Sequence, residues 1–158
     1  MTQPQQQRRG RRIAMSGAER DAFLAEQHTC RVATVGPHGP HATPLWFTWD
    51  GGCLWLYSIV RSQRWADVGR DPRVGVVVDA GVEYLELRGV ELTGSVEVVG
   101  EAPRTGEPNS ELASVERAFA TKYFAGTPDL HHDGRHGWLR LRPAKIASWD
   151  FRKLAAGG

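Results

Sequence analysis

The sequence predicts a mainly β fold, with six or seven short antiparallel strands closing into a small barrel or sandwich beside a few helices. Short apolar runs, several alternating apolar with polar residues, recur through the middle of the chain, and clusters of Gly, Pro and Asp separate them. Regular β–α–β alternation is absent, which argues against a Rossmann domain. Gly89, Gly94 and Gly100 do not have the spacing of a dinucleotide fingerprint.

The elements follow in order. Ser16 and Glu19 form a capping box that opens a helix to about Gln27, with Ala18, Ala22 and Phe23 expected inward. Arg31–Val35 reads as a strand closed by the turn Gly36-Pro37-His38-Gly39-Pro40. A second strand, about Ala42 to Trp49, ends at the hairpin signal Asp50-Gly51-Gly52, and a third covers Cys53–Ser58. Ser62–Val68 is helical. Arg73–Val78 reads as a buried strand, and Tyr84–Arg88 and Glu91–Val98 as alternating ones, with bulges expected at Gly89 and Gly94. Residues 101–109 form a loop. Asn109 or Ser110 caps a helix to about Phe124, with Leu112, Val115, Phe119 and Tyr123 on one face. Trp138–Arg142 and Lys145–Phe151 are the last strands, broken by Pro143.

A length of 158 residues suits one domain and buries roughly 70% of the unfolded surface, with no need of disulfides or metal. The net charge of +2 belongs to a tail. Arg8, Arg9, Arg11 and Arg12 are the only charged side chains before Met15; without them 16 of the 20 basic residues face 18 acidic ones, a net −2. A nucleic-acid-binding domain carries its basic residues on the folded body, so no nucleic-acid partner is expected. Residues 1–14 have the composition of a disordered basic tail, and residues 15–158 form the domain; Met15 is a second candidate start. No apolar run follows the Arg pairs as an export signal requires, and no stretch reaches the length of a membrane span. With Cys30 and Cys53 as its only cysteines, the chain reads as cytoplasmic, with free thiols.

The richest segment is Leu54 to Arg64, where an apolar strand ends on hydroxyl side chains and a Ser-x-Arg opens a helix. Helix N–H groups, a hydroxyl and a guanidinium are what a phosphate needs. Tyr57-Ser58, Ser62-Gln63-Arg64 and Asp71-Pro72 stand in one ungapped frame, preceded by Ala33-Thr34-Val35-Gly36-Pro37-His38-Gly39-Pro40-His41. On these motifs, from about Arg31 to Gly100, the chain resembles the pyridoxamine 5′-phosphate oxidase-like superfamily of flavin- or deazaflavin-binding split β-barrels. Ser58, Ile59, Ser62 and Arg64 stand at that family's Thr, Asn, Ser and Lys. The resemblance implies that Ser62, Gln63 and Arg64 with nearby N–H groups hold a cofactor phosphate, and that Tyr57 and Ser58 flank it. Pro44, Leu45, Trp46 and Phe47 would then lie along the ring system.

The departures shape the expected function. Gln63 replaces a second basic residue, Ala42 and Phe47 replace a strand Arg and Lys, and Trp149–Leu154 replaces a C-terminal Arg-Leu-Ala-Pro signature. The pattern therefore resembles the flavin/deazaflavin oxidoreductase branch more than the vitamin B6 enzyme. It implies an enzyme that moves a hydride to or from a small unsaturated or cyclic substrate. F420 is the expected cofactor and FMN the alternative. It also implies a homodimer with the cofactor between subunits, where the six Trp residues suit either packing or a flat ligand. The other function class is a non-catalytic split barrel binding a cofactor, haem or lipid. No nucleophile–base pair stands out, so the catalytic residues are unknown. His131, His132, Asp133 and His136 read as a solvated loop rather than a metal site, and the two cysteines lack redox spacing.

Overall fold

The computed structural model describes residues 2–127 and 129–156. Among them the chain runs α1 (Gly17–Glu26), β1 (Cys30–Gly36), β2 (Gly39–Leu45), β3 (Phe47–Asp50), β4 (Cys53–Ile59), α2 (Gln63–Arg70), β5 (Arg73–Ala80), β6 (Arg88–Val99), α3 (Ala113–Tyr123), β7 (His136–Asp150) and α4 (Arg152–Ala155). All strand pairs are antiparallel, in the order β2-β1-β5-β6-β7-β4-β3. The two outer members of that order, β2 and β3, are consecutive in the chain and separated only by Trp46. One extended segment therefore pairs first with β1 (Cys30↔Leu45 to Gly36↔Gly39) and then with β4 (Phe47↔Leu56 to Asp50↔Cys53). The sheet curls round on this corner into the expected split barrel.

Local chemistry explains most boundaries. The Ser16 hydroxyl accepts the Glu19 N–H at 3.2 Å, and the Glu19 carboxylate accepts the Ser16 N–H at 2.7 Å, completing the capping box of α1. Asn109 Oδ1 accepts the N–H groups of Glu111 and Leu112, so the turn it caps precedes α3 rather than extending it. The bulge expected at Gly94 is present: β6 and β7 slip register at Thr93/Gly94, where Gly94 faces Pro143 and Ala144 is passed over. Gly89 stays in register opposite Trp149, whose indole lies on it; a Cβ there would come within 2.3 Å of Trp149 Cζ2.

Besides the bulge expected at Gly89, four expectations are corrected. Tyr84–Arg88 is not a strand; Tyr84–Glu86 is a 3-10 turn and β6 begins at Arg88. Gly81, with φ at 101°, folds the chain back so tightly that a Cβ would sit 2.4 Å from the Glu86 carbonyl oxygen, and the alternating side chains meet no sheet. The single strand expected over 42–49 divides at Trp46. The two last strands are one, since Pro143 sits at the bulge where a missing N–H is tolerated. On α1 the buried pair is Phe23 and Leu24, while Ala18 and Ala22 are exposed.

Two apolar cores result. The barrel core gathers Leu24, Val32, Phe47, Leu54, Leu56, Val76, Leu92 and Leu141 among others, and α1 closes one end of it. The second core lies outside the β4–β7 face, where Trp55, Tyr57 and Trp138 pack against Leu112, Val115 and Phe119 at α3. Residues 2–14, read from composition as a disordered tail, run along β7. The Gln5 N–H donates to the Ala144 carbonyl at 2.7 Å, and the Gln7 amide bonds both the N–H and the C=O of Ser148. A glutamine side chain thus continues the ladder as a backbone would.

Gly89→Ala should cost about 1–3 kcal/mol in denaturant unfolding, because the added methyl overpacks against Trp149. In a Trp149→Ala background the same substitution should be close to neutral.

Candidate functional site

The Leu54–Arg64 segment folds as its residue types dictate. β4 ends at Ile59, and Ser62 caps α2 by accepting the Trp65 N–H at 3.2 Å. Arg64, the second residue of the helix, turns back beneath it. Its Nη1 donates to Ser58 on β4 at 3.0 Å, and its Nη2 donates to the Thr43 hydroxyl on β2. Arg64 is 8% exposed, and its Nε has no hydrogen-bond partner among the described residues. No carboxylate among those residues pairs with it; burial pushes the guanidinium pKa below its usual value. A guanidinium stays charged under such a shift. The result is a buried cation solvated by two hydroxyls with a donor to spare, a fit for an anionic oxygen.

A second polar network lies one turn further along α2. Asp67, fully buried, accepts Thr34 Oγ1 from β1 at 2.8 Å, Gln63 Nε2 at 2.7 Å and Arg70 Nη2 at 2.8 Å. Hydrogen bonds from Gln63 and Thr34 hold its carboxyl below the ordinary Asp range, against the opposing effect of burial.

The structure divides the expected site residues. Ser58 and Arg64 come together through their side chains, while the Ser62 hydroxyl is spent on capping α2. Gln63 is spent on Asp67 and contributes no side chain to Arg64. Tyr57 points to the other side of β4, its ring stacked on His136 at 4.8 Å and Trp138 at 4.6 Å. Its hydroxyl is buried without a hydrogen-bond partner among the described residues, and burial raises its pKa to about 12. Phe47 is fully buried in the barrel core and has no ring surface to offer. Trp46 is 45% exposed and lies flat on Tyr123, with centroids 4.4 Å apart and 7° between planes, which leaves indole surface open to solvent. Pro44 is exposed on the outer face of β2, and Leu45 packs against the core.

Thr43 and Asp67 are the polar partners at this site that sequence reasoning passed over. Thr43 adjoins the Pro44–Phe47 stretch, and its inward direction shows only once β2 is known to pair from Gly39 to Leu45. Asp67 stands four residues after Gln63, a spacing that brings both to one helix face.

The His131–His136 loop is occupied by its own contacts. His136 Nδ1 meets Asp133 at 2.6 Å, and His132 Nε2 meets Glu116 at 3.3 Å, where Glu116 also receives Trp138 Nε1 and the buried Arg104. No group of three His, Cys, Asp or Glu side chains that could hold a metal gathers among the described residues. Cys30 and Cys53 are buried, and burial pushes the Cys30 thiol to about 12.

The family model of pyridoxamine 5′-phosphate oxidase matches residues 17–150. No curated protein matches the chain. Among solved structures, the conserved hypothetical protein Rv2991 from Mycobacterium tuberculosis is similar at 30% identity over 96% of this chain and 93% of that one, with a TM-score of 0.76. An F420 reductase shares the fold at a TM-score of 0.59 and 22% identity, covering 80% of this chain and 94% of its own. HutZ, the heme storage protein of Vibrio cholerae, does so at a TM-score of 0.63 and 14% identity, with 82% and 92% covered.

Because the Asp67 carboxyl is depressed in the folded state, its contribution to stability is present above the ordinary Asp range and lost as pH falls through the lower folded value. Asp67→Asn should therefore narrow the gap between denaturation midpoints at pH 7 and pH 3. An unchanged gap would show that this carboxylate carries none of the acid sensitivity.

Proposed function

The chain belongs to the pyridoxamine 5′-phosphate oxidase family, and from that membership we propose that it is an F420- or FMN-dependent oxidoreductase acting on a small unsaturated or cyclic substrate. The observation that carries this reading is the buried Arg64 guanidinium, which bridges Ser58 and Thr43 and meets no carboxylate among the described residues. Arg64 with these two hydroxyls would hold the cofactor phosphate, and the exposed face of Trp46 offers a flat surface beside β2. When bound, the cofactor supplies the hydride chemistry. The chain's own task is to bind and orient it, and to keep water from the phosphate end through the burial of Ser58 and Arg64.

F420 is preferred to FMN, since Gln63 is committed to Asp67 and Phe47 to the core, at positions where the vitamin B6 enzymes place basic residues. The same two commitments argue against vitamin B6 oxidation. No helix among the described residues is long and apolar enough to cross a membrane. We place the protein in the cytoplasm as a homodimer with a small-molecule substrate and neither nucleic acid nor membrane as partner. Sedimentation of the purified protein checks the dimer.

A cofactor titration decides the main reading. F420 or FMN should bind below about 100 μM, near −5.5 kcal/mol. Arg64→Gln should weaken binding about 10- to 100-fold through loss of charge-assisted hydrogen bonds. Failure of both cofactors to bind overturns the proposal. Binding without turnover on a panel of quinones, nitroaromatics and tetrapyrroles would assign storage instead, a role named for HutZ on the same fold.

A further inference from the structure

One polar group beside Asp67 is left unused by that reading. His41 stands opposite Thr34 in the β1–β2 ladder, so both side chains face α2. Thr34 donates to Asp67 Oδ2 at 2.8 Å, while His41 Nδ1 stops 3.9 Å from the same oxygen. That nitrogen is buried and has no hydrogen-bond partner among the described residues. A small rotation of the ring would bring it into bonding range of a carboxylate that Thr34, Gln63 and Arg70 already hold still.

The rest of the imidazole is open. The His41 side chain is 41% exposed against 0% for Asp67, so with Nδ1 buried, the edge carrying Nε2 is the one that meets solvent. Thr43, the hydroxyl that receives Arg64, lies two residues along the same strand. Side chains at that spacing share a face about 7 Å apart. His41 and Arg64 therefore border one stretch of β2, within the span of a single phosphorylated group and its neighbouring atoms.

We propose that His41 is a second contact to the cofactor phosphate, an imidazolium that bridges Asp67 through Nδ1 and a phosphate oxygen through Nε2. The inference rests on the phosphate reading of Arg64. A ring placed between two anions favours its protonated form. Any fraction of the ring that is neutral before binding then takes up one proton from solvent, which goes to the ring nitrogen and stays there while the ligand is bound. The charged group facing the ring is Asp67 from α2, which is itself paired with Arg70; Thr34, opposite His41 on β1, is uncharged.

Calorimetric titration of the full chain tests this, with F420 and with FMN, at pH 7.5 in two phosphate-free buffers of different ionisation enthalpy. Wild type should take up protons on binding. His41→Gln should lose that uptake and bind about tenfold more weakly, with its melting temperature little changed because the half-buried ring makes no side-chain hydrogen bond among the described residues. Arg64→Gln should lose affinity while its residual binding keeps some uptake. If His41→Gln binds like wild type, or if uptake persists in it, the bridge is wrong and the Arg64 anchor stands. If Arg64→Gln binds like wild type, or neither cofactor binds at all, the anchor fails and takes the bridge with it.

Discussion

The placement of one guanidinium organises this molecule. Arg64 leaves α2, passes inward and binds a hydroxyl on β4 and another on β2, which come together only because the sheet has curled. A cation removed from water costs several kcal/mol unless paired, and two neutral hydroxyls repay only part of that. The fold accepts this cost at the point where the barrel turns its corner. Stability alone would favour an apolar residue there, so the retained charge points to a ligand that completes the pairing.

The helix that supplies the charge is clamped by a second one. Arg64 and Asp67 stand three residues apart and share a helix face; the first reaches β2 and β4 and the second reaches β1. A helix of eight residues has little stability of its own. These opposed anchors, with Val68 buried beneath them, fix its direction. Gln63 belongs to this clamp. Its amide donates to Asp67 four residues on, so this side chain holds the helix to its own buried carboxylate.

Much of this was legible in the sequence, because it is local. The capping box at Ser16, the turn at Pro37-His38, the Ser62 cap and the bulge at Gly94 each follow from residues within a few positions of one another. What was not legible depends on partners far along the chain. Nothing near Trp46 announces that the strand changes neighbours there, and Tyr84–Arg88 alternates like a strand yet has no sheet to join. The same holds at the site. Ser58, Ser62 and Arg64 form a readable motif, whereas Thr43 enters from 21 residues away and Thr34 from 33 residues before Asp67. Distance in sequence separates the visible half of the site from the hidden half.

The corner at Trp46 has a consequence for how this chain tolerates change in length. Residues 39–50 lend one edge to β1 and then the other to β4, so the barrel is closed here by a covalent link and not by a ladder of hydrogen bonds. A residue inserted in an ordinary loop is absorbed by the loop. A residue inserted between Gly39 and Trp46 has nowhere to go: it slips β2 by one against β1 or bulges it. Slippage would turn His41 and Thr43 to the outer face together. A change in length is thus best absorbed at the Pro37-His38 and Gly51-Gly52 turns, since the pairing on both sides constrains the count of residues between them.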